Sequence, residues 1–314
     1  DIRNVANTNG SGGTITIGAN GTLMLGNNNR NDAASEFPLV FSDVDLDAAS
    51  TVVYRDQGEQ FVTAFLADGT TSIPYGNLTL TNGRNSDNFA KQLQGAITVR
   101  SNLRIEDSYF FDNGYQVTGN TGGASSFTMT NDSRFYIGVI GTSTVMPNFD
   151  TYNFENNSWV RYESDLEQVI KGISGVQGSY ANVIIRNENN AAVTDPVVKT
   201  LDGEMRVRRR LRIGSDTEFW DDGHQIIVDP ADRGNDACEI TMYEDSYFRL
   251  GNATSATTFP DFENGEIDLR ENSTVIYNAG VAQEVRRLSD GNNNRQNRNY
   301  WNLWLLNSAA HPTG

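Results

Sequence analysis

Apolar residues in this chain alternate with small or polar ones in short runs. Ile15, Ile17, Leu23 and Leu25 do so across a Gly-Ala-Asn-Gly turn. Phe127, Met129, Phe135 and Ile137 repeat the pattern, and Ile240, Met242, Phe248 and Leu250 repeat it again. A period of two with turn residues between runs is strand logic, and no helical period of any length interrupts it. The starts are offset by 112 (127 − 15) and 113 (240 − 127), so the unit is about 110 residues.

A second sentence recurs with the same period. Ser50 to Asn82 reads STVVYRDQGEQFV, a loop, then YGNLTLTN. Ser158 to Asn187 reads SWVRYESDLEQVI, a loop, then YANVIIRN, and Ser273 to Asn307 reads STVIYNAGVAQEV, a loop, then YWNLWLLN. The step from Tyr54 to Gln60, Tyr162 to Gln168 and Tyr277 to Gln283 is six residues each time, whereas the loops from each Gln to the next Tyr span 15, 12 and 17. Constant strands with elastic loops mark a structural repeat. A third block, Ile97 to Val117, has its partner at Met205 to Val228. The blocks run 1–125 (beginning inside a unit), 126–238, and 239–314 (incomplete).

The fold class is all-β. The architecture expected is a right-handed parallel β-helix, a solenoid of four or five coils per unit. The alternative is a row of tandem β-sandwich domains. The internal blocks ITIGANGTLML, ITVRSNLRI and FTMTNDSRFYI resemble one another as coils of one solenoid should, and neither a linker nor a sandwich's long return connection is evident. The predicted core includes Val52, Tyr54, Leu78, Leu80, Val160, Tyr162, Val183 and Ile185. Asn77, Asn182 and Asn302 hold one position in three copies and are expected to hydrogen-bond along the stack. Gln60, Gln168 and Gln283 are expected to satisfy turn backbone groups.

Hydrophobic residues are 37% of the chain, Gly accounts for 29 of 314 residues, and Asn is abundant in the turns, a balance suited to many short strands. The net charge of −16 argues against nucleic acid or an anionic membrane as partner, and no apolar run approaches the roughly 18 residues needed to span a bilayer. With one cysteine, Cys238, no internal disulfide can form; a buried, inert thiol is expected. No signal peptide precedes Asp1, so a secreted form would already be processed. Both ends cut the repeat inside a unit, so the chain is expected to be a window on a longer repetitive protein or to bury its ends against another chain.

The motif S-T-V-x-Y with its Gln, then Y-x-N-L-x-L, then G-x-I-x-V-x-x-N-L-x-I, resembles a repeat of secreted surface proteins of the Bacteroidetes. In the first copy Val52, Tyr54, Gln60, Tyr75, Asn77, Leu78 and Leu80 carry the likeness. The second copy departs, with Trp159 for the usual Thr and Val183 for Leu. The resemblance implies a β-helical extracellular adhesin or fibre of the kind exported by type IX secretion, some linked to gliding. It implies no activity.

Chemistry-bearing residues are few. Asp43, Asp45 and Asp47 alternate with Val44 and Leu46 and project from one face; such oxygens could hold calcium, or simply form a solvated strand face. Arg206, Arg208, Arg210 and Arg212 are expected on an outward face, either gripping acidic polysaccharide through bidentate pairs or pairing with Glu and Asp across coils. Trp301 and Trp304 either stack on a sugar ring or lie under the loop from Arg286 to Asn299. With only His224 and His311 and no G-x-S-x-G, no catalytic residues are assigned; Asp221 and Asp222 sit on a turn repeated at Asp112 and Asn113. No cofactor beyond possible calcium is implied. The leading expectation is a non-enzymatic segment of a bacterial cell-surface fibre or adhesin, with surface glycans or like segments as partners. The alternative is a polysaccharide-binding or polysaccharide-lyase-like β-helix. Any binding is expected from the loops at Asn27 to Pro38 and Arg286 to Asn299, which vary in length.

Overall fold

A computed structural model describes residues 13–26, 37–39, 41–82, 90–188, 195–228, 238–262, 266–288 and 299–306. The protein is all-β, with 46% of residues in strands and 1% helical, and forms a parallel β-solenoid of about 9 turns. Parallel pairing between successive strands excludes the sandwich, whose sheets are antiparallel. Contacts divide the chain into two compact units, Asp1–Tyr136 with Met146–Ser158 and Ile137–Val145 with Trp159–Gly314.

In the first unit, Thr22–Leu25, Thr51–Tyr54, Asn77–Thr81, Asn102–Glu106, Ser126–Met129 and Thr151–Phe154 stack in parallel. Their inward columns run Leu23, Val52, Leu78, Leu103, Phe127, Tyr152 and Leu25, Tyr54, Leu80, Ile105, Met129, Phe154. A second sheet stacks Gln60–Val62, Lys91–Leu93, Tyr109–Phe111 and the strand opening at Arg134. A third stacks Pro74–Tyr75, Ile97–Val99 and Val117–Thr118. On the first of these sheets the step from strand to strand lies between 24 residues (126 − 102) and 29 (51 − 22); on the second it reaches 31 (91 − 60) and 19 (110 − 91).

The second unit stacks Trp159–Tyr162, Gly178–Ile185, Met205–Ile213, Glu239–Met242 and Glu266–Leu269 on one side. On another it stacks Gln168–Ile170, Val197–Leu201, Thr217–Trp220, Tyr247–Leu250, Thr274–Tyr277 and Asn302–Leu305. The two copies of one sequence motif, Trp159–Tyr162 and Thr274–Tyr277, thus lie in different sheets. The same holds in the first unit for Thr14–Ile17 and Ser126–Met129.

The eight predicted core residues are all at most 1% exposed. Corners between strands need left-handed backbone, and Asn or Asp supplies it at low cost: Asn20, Asp132 and Asp245 have φ of 60°, 64° and 57°. Where Gly251 turns at φ 81°, a Cβ would come within 3.0 Å of both Ala279 Cβ and Gln283 Nε2, so glycine is required there on conformation and space.

The repeated Tyr, Gln and Tyr have one purpose, visible three times. The Tyr54 and Tyr75 hydroxyls bond at 2.8 Å; Tyr54 Oη accepts from Thr63 N at 3.1 Å, and Tyr75 Oη donates to Thr63 O at 2.5 Å. Tyr162 and Tyr180 clasp both backbone groups of Lys171 in the same way, at 3.3 and 2.8 Å. Tyr277 and Tyr300 do so for Arg286, at 3.1 and 2.7 Å. Beside each clasp the Gln amide reaches back to the preceding turn: Gln60 to Leu25 O, Gln168 to Ile137 O and Thr144 O, Gln283 to Leu250 O and Thr257 O. Backbone leaving a strand inside the coil would otherwise be buried with open donors and acceptors.

Replacing Tyr180 by Phe should therefore cost about 1–3 kcal/mol, the usual penalty for stranding a buried polar partner. Tyr162→Phe together with Tyr180→Phe should cost less than the sum of the singles, because the second change removes a group already orphaned. Urea denaturation of the three variants tests this; additive costs would refute the coupled clasp.

Candidate functional site

The acidic triplet lies on the first unit. Asp43 and Asp45 are exposed on Asp43–Leu46, and Asp47 follows, also exposed. Asp43 accepts from Thr14 Oγ1 at 3.3 Å and Val44 N at 2.9 Å, and Asp47 from Ala49 N at 2.7 Å. These are turn and strand-edge bonds. Among the described residues, no three His, Cys, Asp or Glu side chains gather into a metal-binding group. Calcium takes roughly six to eight oxygens.

The arginines occupy Met205–Ile213. Register shifts between Tyr180 and Asn182, so the strand bulges opposite the Arg208–Arg209 stretch. Beyond the bulge, Arg210 Nε lies 3.1 Å from Glu239 Oε2 and Arg212 Nη2 lies 3.0 Å from Glu239 Oε1, one turn further on. Both guanidiniums sit over the Trp159 ring, at 5.8 and 5.1 Å from its centre. Neighbours favour the carboxylate of Glu239 and lower its pKa against the opposing effect of burial. The motif recurs: Arg249 pairs with Glu218 at 2.6 Å over Trp220, and Arg270 with Asp268 at 3.0 Å over Tyr243. Arg208 is half-buried, and its carbonyl accepts from the buried Cys238 thiol at 3.0 Å. Arg210 and Arg212 are thus engaged in cross-coil pairing with an acid and a ring.

Trp304 lies on a strand of a different sheet and Trp301 just precedes it; they are 49% and 55% exposed. Trp304 tilts against Tyr247 with ring centres 6.2 Å apart. These two rings are open to a flat ligand. The loop expected to cover them lies largely outside the described residues, as does the one at Asn27 to Pro38; His311 and Asn307 lie wholly outside. No family model, curated protein or solved structure matches this chain.

Two lysines that the sequence analysis did not single out carry chemistry. Lys91 and Lys199 are fully buried and pair in register with Gln60 and Gln168. Lys91 Nζ donates to Asp56 O at 2.5 Å. Lys199 Nζ donates to Ser164 O at 2.5 Å, Leu166 O at 2.9 Å and Gln168 Oε1 at 3.1 Å. Burial lowers their pKa to about 8 and about 7, against the pull of Asp56 and Asp165 respectively. A signal existed: each lysine follows its Gln by 31 residues (91 − 60 and 199 − 168). A neutral amine is a nucleophile, but here it is packed against carbonyls with no exposed surface, so its work is to satisfy the corner.

Asp221 is the acidic counterpart. Its Oδ1 accepts from Gly223 N at 2.9 Å and Gly251 N at 2.8 Å, and its Oδ2 from Thr257 Oγ1. Burial nevertheless raises its pKa to about 6. Asp112 repeats the turn, accepting from Gly114 N at 2.9 Å, and Asn113 and Asp222 both have left-handed φ. A feature built twice to the same plan reads as a corner cap.

These shifts set the pH response. Lys199 titrates near 7 folded and near 10.5 in its ordinary state, so the folded chain binds fewer protons between those values. Its contribution therefore makes stability rise with pH across that window. Asp221 has the opposite sign: its folded pKa is raised, so its contribution is full below about 4 and is lost as pH rises through about 6. Across urea midpoints measured from pH 4 to 10, the upper slope should shrink in Lys199→Met, with Lys91 at about 8 supplying the remainder, and the lower one should shrink in Asp221→Asn. Slopes unchanged from the parent would contradict both assignments.

Proposed function

We propose that this chain is a non-enzymatic structural segment of an extracellular bacterial cell-surface fibre or adhesin, built as a right-handed parallel β-helix of about 110-residue repeats. The observation that carries the reading is the threefold Tyr–Gln–Tyr clasp. The chain spends its buried polar groups on one corner, built again and again, and not on one unique cleft. Charged groups in unusual environments, Lys91, Lys199 and Asp221, serve such corners too. Perturbed groups concentrated in one cleft would argue for catalysis; here they recur with the repeat. The right hand is the one that parallel crossovers overwhelmingly adopt. Secretion to the cell surface, and partners among surface glycans or like segments, are proposed on the resemblance to Bacteroidetes surface repeats.

The exposed Trp301 and Trp304 favour a second reading, a β-helix that binds polysaccharide by ring stacking. Under the structural reading, incubation with acidic polysaccharides such as polygalacturonate or alginate, with and without calcium, should produce no unsaturated product absorbing in the ultraviolet. Steady product formation by the pure protein would overturn it. Under the glycan reading, Trp301→Ala with Trp304→Ala should weaken retention on a polysaccharide affinity gel at least tenfold; equal retention would remove the second reading.

A further inference from the structure

The strand Gln168–Ile170 turns Gln168 and Ile170 into the coil and leaves Val169 outward, 43% exposed. Around it lie three more exposed aliphatic side chains of the second unit, Ile140 at 57%, Val145 at 43% and Leu166 at 46%. Bonds between neighbouring turns bring them together. Gly141 N donates to Asp165 Oδ1 at 2.6 Å, which holds the Ile140–Gly141 turn against Asp165–Leu166. Gln168 Nε2 donates to Thr144 O at 2.9 Å, which holds Thr144–Val145 against Gln168–Val169. On the other side Val169 pairs with Thr200, and Thr200 with Trp220, so the outward column stays uncharged across three strands. Single exposed aliphatic residues need no explanation, but a cluster of four marks an interaction surface. Charges bracket the row. Glu167 and Lys171 share the outward parity of Val169 and stand one at each end of it; Glu167 is exposed and Lys171 half-buried. Among the described residues neither belongs to an ion pair. Asp202, which follows Leu201 on the next turn, is taken up by Gly172 N at 2.5 Å.

We propose that this face joins two copies of the chain across a two-fold axis. The order of charges selects the arrangement. An axis lying between the two facing sheets, perpendicular to their strands, reverses one row against the other. Val169 then meets its own copy, while each Glu167 meets a Lys171. An axis along the strands would instead set Glu167 against Glu167 and Lys171 against Lys171. Only the first puts opposite charges together at both ends, the self-complementarity that an isologous contact demands. It also keeps each turn at its own level, so the aliphatic cluster of one copy covers that of the other, face to face as sheets pack. Removing this aliphatic surface from water drives the association. The facing charges set its register, since exposed pairs themselves contribute little. Repulsion from the net charge of −16 is screened beyond about 8 Å at physiological salt, whereas the facing pairs are in contact. A second copy is favoured over a foreign partner because the row already carries both halves of the charge pattern it needs. The contact requires neither a fibre nor a glycan and holds under either functional reading.

Sedimentation velocity of the whole protein over a wide range of concentration tests this. The parent should show a monomer–dimer equilibrium. Leu166→Asp with Val169→Asp should weaken the dimer at least tenfold. Glu167→Lys and Lys171→Glu should each weaken it several-fold, because either change sets like charges against one another at both ends. Glu167→Lys together with Lys171→Glu should restore the parent's affinity, since the pair of changes only inverts the pattern. The substituted side chains point outward, so urea midpoints should stay near the parent's; should the aspartate variant unfold, the charge exchange decides alone. A monomer at every concentration, a dimer indifferent to the two aspartates, or a charge-exchanged protein no better than either single variant would overturn the proposal. None of these outcomes bears on polysaccharide cleavage, by which the structural role is tested.

Discussion

Everything in this fold depends on closing each corner of a coil without leaving a buried backbone group unpaired. A strand satisfies its own N–H and C=O by pairing with the turns before and after it. A corner has left that ladder yet remains inside. Here two tyrosine hydroxyls bond to each other and together take the N–H and the C=O of a single residue, Thr63, Lys171 or Arg286. The Gln six residues after the first Tyr ties the same corner to the turn before it. Buried lysines complete the corner in the first two copies. The apolar columns drive the collapse, but only satisfied corners let the chain wind instead of collapsing with stranded polar groups.

Much of this was legible before any coordinates. Period two separates inside from outside wherever one face is buried, and a register error would have exposed the whole predicted core. It did not, because Val52, Tyr54, Val160 and Tyr162 sit on strands of ordinary pleat. The Tyr-to-Gln spacing also announced a fixed object, since loops around it vary while it does not. The rest was hidden for physical reasons. Lys91 and Lys199 were hidden because lysine is almost never fully buried without a partner, and their partners are mostly carbonyls, which have no letter in a sequence. The bulge near Arg208 left one mark, the break in alternation at Arg208-Arg209-Arg210 where the register slips by one, which a run of charges disguises. The Arg–Trp159–Glu239 cluster joins three turns, and proximity across turns depends on loop lengths that the repeat does not hold constant.

Exposed guanidinium–carboxylate pairs contribute only about 0–1 kcal/mol each, so the arginine clusters are not what holds the coil. Their recurrence over Trp159, Trp220 and Tyr243 has another consequence. They sheathe aromatic rings on an outer face, which keeps those rings from offering a bare apolar patch. Trp301 and Trp304 lack such a cover and remain half exposed. The outer surface is therefore covered by a guanidinium over Trp159, Trp220 and Tyr243.

Inside and outside place different demands on the repeat. Some copies of a strand lie in different sheets, as Trp159–Tyr162 and Thr274–Tyr277 do. Inside the coil this changes little, because every face looks onto the same close-packed interior. Val52, Val160 and Val275, with Tyr54, Tyr162 and Tyr277, accordingly stay the same and stay buried. Outside, Thr79 and Ile184 hold one position in two copies and differ, although each lies beside an arginine, Arg104 and Arg212. The outward position tolerates that exchange because its side chain is only half buried, whereas an inward one must fit a packed column.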